Sequence, residues 1–510
     1  MDHSQFRRWI TLPQTFLCSR IRQRLLLFCK NIFNANAQVN YWNKLYNNQS
    51  QWDLSFAVVD LGGYYLTAGN TANLLSTDST FYGAVWLFYV DSNGNKGSEN
   101  IIRYKNRQAY KGNQHILIRT FDNNFIYYGG LGDSNNNYSM VLIKFDSLLQ
   151  PLWQTIDTGS GFMEPGELLQ LPDSGFLVCG FASINHLTQK DGFLSRFDQN
   201  GNHLWTKYYG DIRQDFLSSI VQSDSNHYLL SGVSDQSPFL MKVDTAGNLI
   251  WRRNFNIPNT GLYIKKSIYG EGYIAYGSRN ADSYKDYYGV VARINENAEF
   301  IWKDSIRLGT HVSAFCDAIE LPGGNIIAVG LTDNGGQFYP FYAGWTAKFF
   351  KNGGIMKERV FAKGSKVESW LMAIALTSDG GIVCAGYDRN DYDTLPRGQD
   401  SWVIKLDTNL CDKPDCSPDV GITSFVSQYE SVIYPNPFTS EIAINFTNTS
   451  SLNVSIRIYN AQGVLINETL MEKSMQNKIL STGSFASGLY IIQVIQNGAI
   501  IKTQKMVKQP

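Results

Sequence analysis

"PFLMKVDTAGNLIWRRNFN" (Pro238–Asn256) decides how this chain is read. An apolar run carries Lys242 and ends at Asp244, a turn follows through Gly247, and a second run holds Trp251. The same order returns in "GFLSRFDQNGNHLWTKYYG" (Gly192–Gly210), "SMVLIKFDSLLQPLWQTID" (Ser139–Asp157) and "GVVARINENAEFIWKDSIR" (Gly289–Arg307). Anchored on the residue that ends the first run, the unit recurs at Asp91, Asp146, Asp198, Asp244, Asn295, Phe350 and Asp407. A second anchor, the Gly closing an upstream apolar run, also recurs seven times, at Gly69, Gly130, Gly180, Gly232, Gly277, Gly330 and Gly386.

Each unit reads as four short strands, here a to d. In the fourth unit they are "LSSIVQS", "HYLLSG", "FLMKVD" and "LIWRRNF". Four-stranded units near fifty residues, joined by Gly, Asn and Asp turns, predict radial stacking, the β-propeller solution to the sheet-edge problem. The ends sharpen this. Unit seven has strand c, "SWVIKLD" (Ser401–Asp407), and then no Trp strand, while "NYWNKLYN" (Asn40–Asn47) precedes unit one as a lone strand d. Trp42 would stand where Trp251 does, and the N-terminal strand would close the ring and leave no open edge. The expected fold is all-β, a seven-bladed β-propeller over 38–413, with a linker at 414–430 and a small β-sandwich over 431–510.

Composition agrees with strands. Aromatics are 14% and charged residues 17% of the 510, a mix that suits sheets better than helical bundles. The basic charge sits at the ends, with six Arg/Lys against one Asp in residues 1–37. The acidic middle argues against a nucleic-acid partner, since phosphate contacts need basic surface. "RQRLLLFCKNIFNANAQ" (Arg22–Gln38) reads as an export signal over 1–37, interrupted by Lys30, with an Ala35-Asn36-Ala37 end. No later run reaches the ~18 apolar residues of a membrane helix. Cys179, Cys316 and Cys384 sit in strand-like runs as small hydrophobes, while Cys411 and Cys416 flank a Pro turn and would form a small disulfide loop after export.

Two repeated features have structural readings. Basic residues stand two before the anchor at Lys144, Arg196, Lys242, Arg293, Lys348 and Lys405. Strand c is third from the axis, so they read as paired or solvated positions and not as an anion funnel. The repeated Trp reads as packing between units. The Asp–turn–Gly–Trp unit resembles pyrroloquinoline-quinone-type propeller repeats in general look. Its spacing is shorter, however, and the vicinal Cys pair and metal site of those enzymes are missing. It is also similar to the sialidase Asp-box, which puts Gly two residues after Asp. The resemblance is nearest to propellers of about fifty-residue repeats in exported Bacteroidota proteins.

The tail carries Tyr434-Pro435-Asn436-Pro437-Phe438, then Tyr459 and Gly463 in "IRIYNAQGVLI", and Gly488-Leu489-Tyr490 with Lys502 and Lys505 in the final run. This order resembles the type A C-terminal sorting domain of the type IX secretion system. The resemblance implies a β-sandwich that engages the translocon, directs outer-membrane translocation, and is cut off by a sortase-like protease. The cargo then ends secreted or attached to the cell surface, having passed through the periplasm. Alternation in "EIAINF" and "YIIQVIQ" independently predicts half-buried strands.

No H-E-x-x-H, G-x-S-x-G or phosphate-binding Gly loop is present, and "DSNGNKG" (Asp91–Gly97) reads as a hairpin turn despite its echo of a calcium loop. No cofactor, metal or catalytic residue is expected. Long b–c connections (71–83, 278–287, 332–343 and 388–400) share one face and are rich in Tyr, Phe, Asp and Asn. Tyr284, Tyr287, Tyr339, Tyr342, Asp388 and Tyr392 are the candidate contacts for a glycan or protein ligand. The alternative is a polysaccharide hydrolase or lyase using acids at the heads of the innermost strands: Asp53, Glu167, Asp215, Asp317 and Glu368.

Overall fold

The computed structural model describes residues 39–510 apart from 49–51, 74–81, 106, 111–115, 134–137, 158–160, 185–189, 211–212, 236, 256–259, 281–285, 310, 334–341, 362–366, 391–397, 415–430, 447–453, 472–476 and 497–498. The expected signal segment and Cys416 lie outside the described residues. The described fold is all-β, with no helix among those residues.

Seven antiparallel sheets lie between Trp42 and Leu406, and six have four strands in the order a-b-c-d. In sheet four these are Asp215–Asp224, His227–Ser234, Ser237–Asp244 and Leu249–Asn254. Sheet two differs from the four-strand reading. Its strand a is split into Arg107–Tyr110 and Leu117–Arg119, both paired with Phe125–Asp133. In the last sheet Trp42–Tyr46 pairs with Asp400–Leu406, with Trp42 opposite Lys405. That is the register of Trp251 opposite Lys242 and Trp205 opposite Arg196.

The repeated anchor has a local cause. Asp244 Oδ1 accepts the N–H groups of Ala246 (2.9 Å) and Asn248 (2.7 Å), and its other oxygen accepts from the Asn248 side chain (2.8 Å). Asp91 and Asp198 repeat the pattern on Asn95 and Asn202. The loop is a turn followed by a left-handed residue that bulges the next strand. Gly247 takes this place at φ +76°. The bonds to Asn248 hold the exposed Asp244 carboxyl below its ordinary range. "DSNGNKG" is thus the same hairpin as the rest.

That Gly has a second reason, supplied by the neighbouring sheet. A Cβ on Gly94 would lie 2.7 Å from the Trp42 ring, on Gly201 2.5 Å from Trp153, and on Gly247 2.9 Å from Trp205. Trp302 covers Gly353 in the same way, and Trp251 packs in the cluster that buries Ala298. The other two turns carry buried Leu149 and Leu410 in this place. There the preceding strand d brings Asn100 and Arg359, which donate to the leucines' carbonyls. Trp over Gly or Ala, and Leu without Trp, are two ways of filling one space.

The a strands meet through backbone capture. Glu167 accepts Ile220 N–H (2.8 Å), Ser219 Oγ accepts Ile264 N–H (2.9 Å), and Asp317 accepts Ile374 N–H (3.0 Å). The extra residues at the strand-a bulges of sheets one, six and seven, Phe56, Cys316 and Met372, are buried in one apolar cluster. The basic position of strand c is paired. Lys144 meets Asp122 (2.6 Å), Lys242 Asp224 (3.0 Å), Arg293 Glu320 (2.6 Å), Lys405 Asp379 (2.9 Å), Arg196 Asp173, and Lys348 Asn409 (3.2 Å).

The tail holds a three-stranded sheet, Ser431–Tyr434, Glu441–Phe446 and Asn477–Ser481, and a four-stranded one formed by Val454–Asn460, Leu465–Met471, Gly488–Gln496 and Ala499–Lys508. Alternate residues of both sheets, among them Ile442, Ile444, Ile456, Ile458, Ile492 and Val494, share one core.

Candidate functional site

Because the a–b and c–d connections are tight turns, every b–c and d–a connection leaves from the opposite face. Tyr284, Tyr339 and Tyr392 lie outside the described residues. Tyr342 opens strand c of sheet six and meets Trp370 edge-on at 5.7 Å, and Trp370 stacks on Tyr387 at 5.6 Å. Beside them the Arg389 guanidinium lies 5.9 Å from the Trp52 ring and 3.0 Å from Glu368. Asp388 is buried and bonded to Ser369, so its carboxylate faces inward. Tyr287 opens strand c of sheet five, where its N–H donates to the His311 carbonyl (2.7 Å) and ties sheets five and six together. The structure therefore brings Tyr342 into an aromatic group with Trp370, and sets Tyr287 in a different sheet.

Two further groups occupy this face. Lys190 Nζ sits 5.0–5.7 Å from the rings of Phe162, Phe181 and Phe216, a filled aromatic cage. Arg279 and Arg307 lie 5.8 and 5.0 Å from the Tyr288 ring, and Arg307 is also 3.1 Å from Asp286. Burial, with Arg279 adding like-charge repulsion, pushes the nearby Lys303 amine below its ordinary range. Trp52, Trp370, Lys190 and Arg279 were not among the sequence candidates. The strand-d position of the repeated Trp residues made packing the natural reading, whereas these two Trp lie on strand a. A Trp out of step with the repeat was the available signal.

The five candidate acids are engaged. Asp53 is buried and accepts from Asn48 N–H (2.8 Å), Asp215 is fully buried and pairs with Arg252 (2.7 Å), and Asp317 pairs with Lys265 (2.7 Å). Glu167 captures the Ile220 backbone and Glu368 holds Arg389. Glu167 and Asp317 stand within their strands and serve as clasps to the next sheet. Among the described residues no three His, Cys, Asp or Glu side chains gather as a metal site requires. Cys179, Cys316 and Cys384 are buried thiols outside any disulfide, and Cys411 is disulfide-bonded.

In the tail, Tyr434-Pro435-Asn436-Pro437-Phe438 stitches the first strand to the last. Asn436 donates to the Lys505 carbonyl (3.0 Å) and accepts from Val507 N–H (2.9 Å). Phe438 exchanges backbone bonds with Val507 and Gln509 while its ring lies in the core. Asn445 donates to the Tyr434 hydroxyl (2.8 Å), and buried Tyr490 donates to the Ala486 carbonyl (2.8 Å). Gly463 and Gly488 adopt φ of +79° and +153°, open to glycine. Leu489 is exposed, and Lys502 and Lys505 lie on the final strand.

No curated protein is similar to the chain in sequence. Among solved structures it is similar to a subtype N11 neuraminidase-like protein of A/flat-faced bat/Peru/033/2010 (H18N11), at 9% identity and TM-score 0.36, covering 72% of this chain and 93% of that one. Drosophila Plexin A in complex with Semaphorin 1b gives 7% and 0.40, covering 72% and 88%. A protein of unknown function from Dyadobacter fermentans DSM 18053 gives 10% and 0.38, covering 59% and 100%. Residues 432–509 match the family model described as "Secretion system C-terminal sorting domain". The tail, with its stitched Tyr-Pro-Asn-Pro-Phe segment, is thus a type IX secretion sorting domain, and the chain that bears it is cargo of that route.

Proposed function

We propose that the seven sheets form a closed seven-bladed propeller that acts as a non-catalytic binding module outside the cell, for glycan or protein, through its b–c loop face. The tail takes the chain across the outer membrane and is removed by a sortase-like protease, leaving the propeller secreted or held at the surface. The observation that carries the binding reading is the Tyr342–Trp370–Tyr387 group beside Arg389 and Trp52. Flat rings next to a guanidinium suit sugar rings or a protein surface. The engaged state of Asp53, Glu167, Asp215, Asp317 and Glu368 favours binding over hydrolysis, which needs two carboxylates about 5–10 Å apart flanking the bond.

The test is a glycan array of neutral and acidic polysaccharides, with mass spectrometry of the same mixtures. Retention without shortened products, lost on Tyr342→Ala and Arg389→Ala, is expected. Shortened products would overturn the non-catalytic reading and favour the hydrolase or lyase. Retention unchanged in both variants would move the ligand off this face.

A further inference from the structure

Sheet six departs from the repeat at one place. Six units anchor the c–d turn on Asp or Asn, and sheet six anchors it on Phe350. The backbone turn survives, with Phe350 N–H donating to the Gly354 carbonyl (2.9 Å) and Gly353 N–H to that of Phe350 (3.0 Å). The turn therefore does not require a phenylalanine. An Asp there could accept Asn352 N–H as Asp244 accepts Ala246 N–H, whereas Gly354 N–H, the counterpart of Asn248 N–H, is already held by Asp304.

What covers Phe350 is the tail. Its ring is 7% exposed and lies parallel to Tyr459 at a centroid distance of 6.2 Å and an angle of 15°. Gly463 approaches so closely that a Cβ would lie 2.2 Å from the Phe350 ring. On the other side, Gly354 leaves 3.3 Å between a would-be Cβ and Tyr459. Next to this contact, Asp304 of sheet five accepts Gly354 N–H (2.6 Å) and stands 4.0 Å from Arg457 of the tail, whose guanidinium also meets Glu468 (2.8 Å).

We propose that the c–d turn of sheet six is a dedicated seat for the chain's own sorting domain, reading the Tyr459 ring, the Gly463 turn and the Arg457 guanidinium. The usual Asp or Asn anchor is missing at the turn that Tyr459 and Gly463 cover, and the residues +3 and +4 from it, Gly353 and Gly354, are both glycines there alone. The seat lies on the turn side, opposite the b–c loops, so the ligand face stays open while the tail is attached. Loss of the tail uncovers Phe350.

The experiment is single-molecule energy transfer in the full chain, with dyes on Asn200→Cys and Asn477→Cys, two exposed positions. One narrow, salt-sensitive distance is expected for the parent chain. Phe350→Asp puts back the residue type that anchors the other turns and can accept Asn352 N–H, and the melting temperature of each variant is read alongside to separate loss of the seat from loss of the turn. The ratio of seated to free tail should fall about tenfold or more, because ring burial and stacking are lost. Arg457→Glu probes the tail side independently of turn stability, and Arg457→Lys, which keeps the charge, should retain part of the seated population. A broad distribution in the parent chain, or a narrow one unchanged in both single variants, would overturn the proposal.

Discussion

Replacing Trp42 or Gly94 interrogates the contact between the N-terminal strand and the first sheet. Trp42 is 8% exposed, donates from Nε1 to the Ser92 carbonyl (2.9 Å) and packs on Tyr65 at 5.9 Å. Truncation to Ala should cost about 3–5 kcal/mol, the usual range for a buried Trp. Gly94→Ala carries two penalties. Its φ of +76° disfavours a Cβ, by about 1–2 kcal/mol. The new carbon would meet the indole at 2.7 Å, and overpacking of that kind costs about 1–3 kcal/mol. In the double variant the indole is gone and only the backbone penalty remains. The two changes together should thus cost less than their sum by about 1–3 kcal/mol. The assay is urea unfolding of all four proteins followed by circular dichroism, with midpoints compared at constant slope. Additivity within about 0.5 kcal/mol, or a harmless Gly94→Ala, would refute the idea that Trp42 completes the last sheet by packing across to the first.

Two further outcomes are expected. Ala298 holds the left-handed place at φ +60°, so Ala298→Gly should stabilise by up to about 1 kcal/mol, less whatever packing against Trp251 the methyl provides; a lower melting temperature would show that packing dominates. The acid response follows from the strand-c pairs. At Asp224 the Asn226 N–H, with Lys242 and His227, holds the carboxyl well below its ordinary range. At Asp122 and Glu320 burial pushes upward, but Lys144 and Arg293 with nearby donors prevail and the net shift is down. Lowered folded values contribute stability that is complete above the unfolded carboxylate range near pH ~4. That stability is lost as the pH falls through the folded values. Melting temperature should not fall between neutral and about pH 5, where burial-raised Glu358 and Asp304 gain stability as they take up protons, and should drop below pH ~4. A decline beginning near pH 6 would point to histidines instead.

The sequence yielded what local chemistry repeats. An Asp that caps its own turn, a Gly at a left-handed position and a Trp on the following strand all recur within twenty residues, so their order was legible, and so was the stray Trp42. What the repeats pack against was not. Trp205 rests on Gly247 and Glu167 captures Ile220, partners about forty to fifty residues apart that share no local pattern. Glu167 and Asp317 consequently looked like free acids, because their acceptor role becomes visible only when the next strand a is alongside. Phe350 was counted among the anchors like the rest, and the ring that lies against it, Tyr459, is more than a hundred residues downstream. On the b–c loop face, Trp370 escaped notice because five other Trp had taught a packing rule that does not hold on strand a.

Pairing of Trp42–Tyr46 with Asp400–Leu406 also imposes an order in time. The first described strand has its partner at the far end of the repeat, and until that partner arrives its N–H and C=O groups must be met by water. Sheets one to six can each form soon after their own strands emerge, since their contacts are local and such contacts form fast. The last sheet cannot. Joining ends so distant adds little free energy per added residue, because loop closure grows only with the logarithm of length, but it makes completion a late, single event. A chain cut short anywhere before Leu406 keeps a permanently unpaired strand. A finished last sheet therefore reports that the whole repeat array has been made, and the sorting domain, which follows it in sequence, is the next thing to emerge.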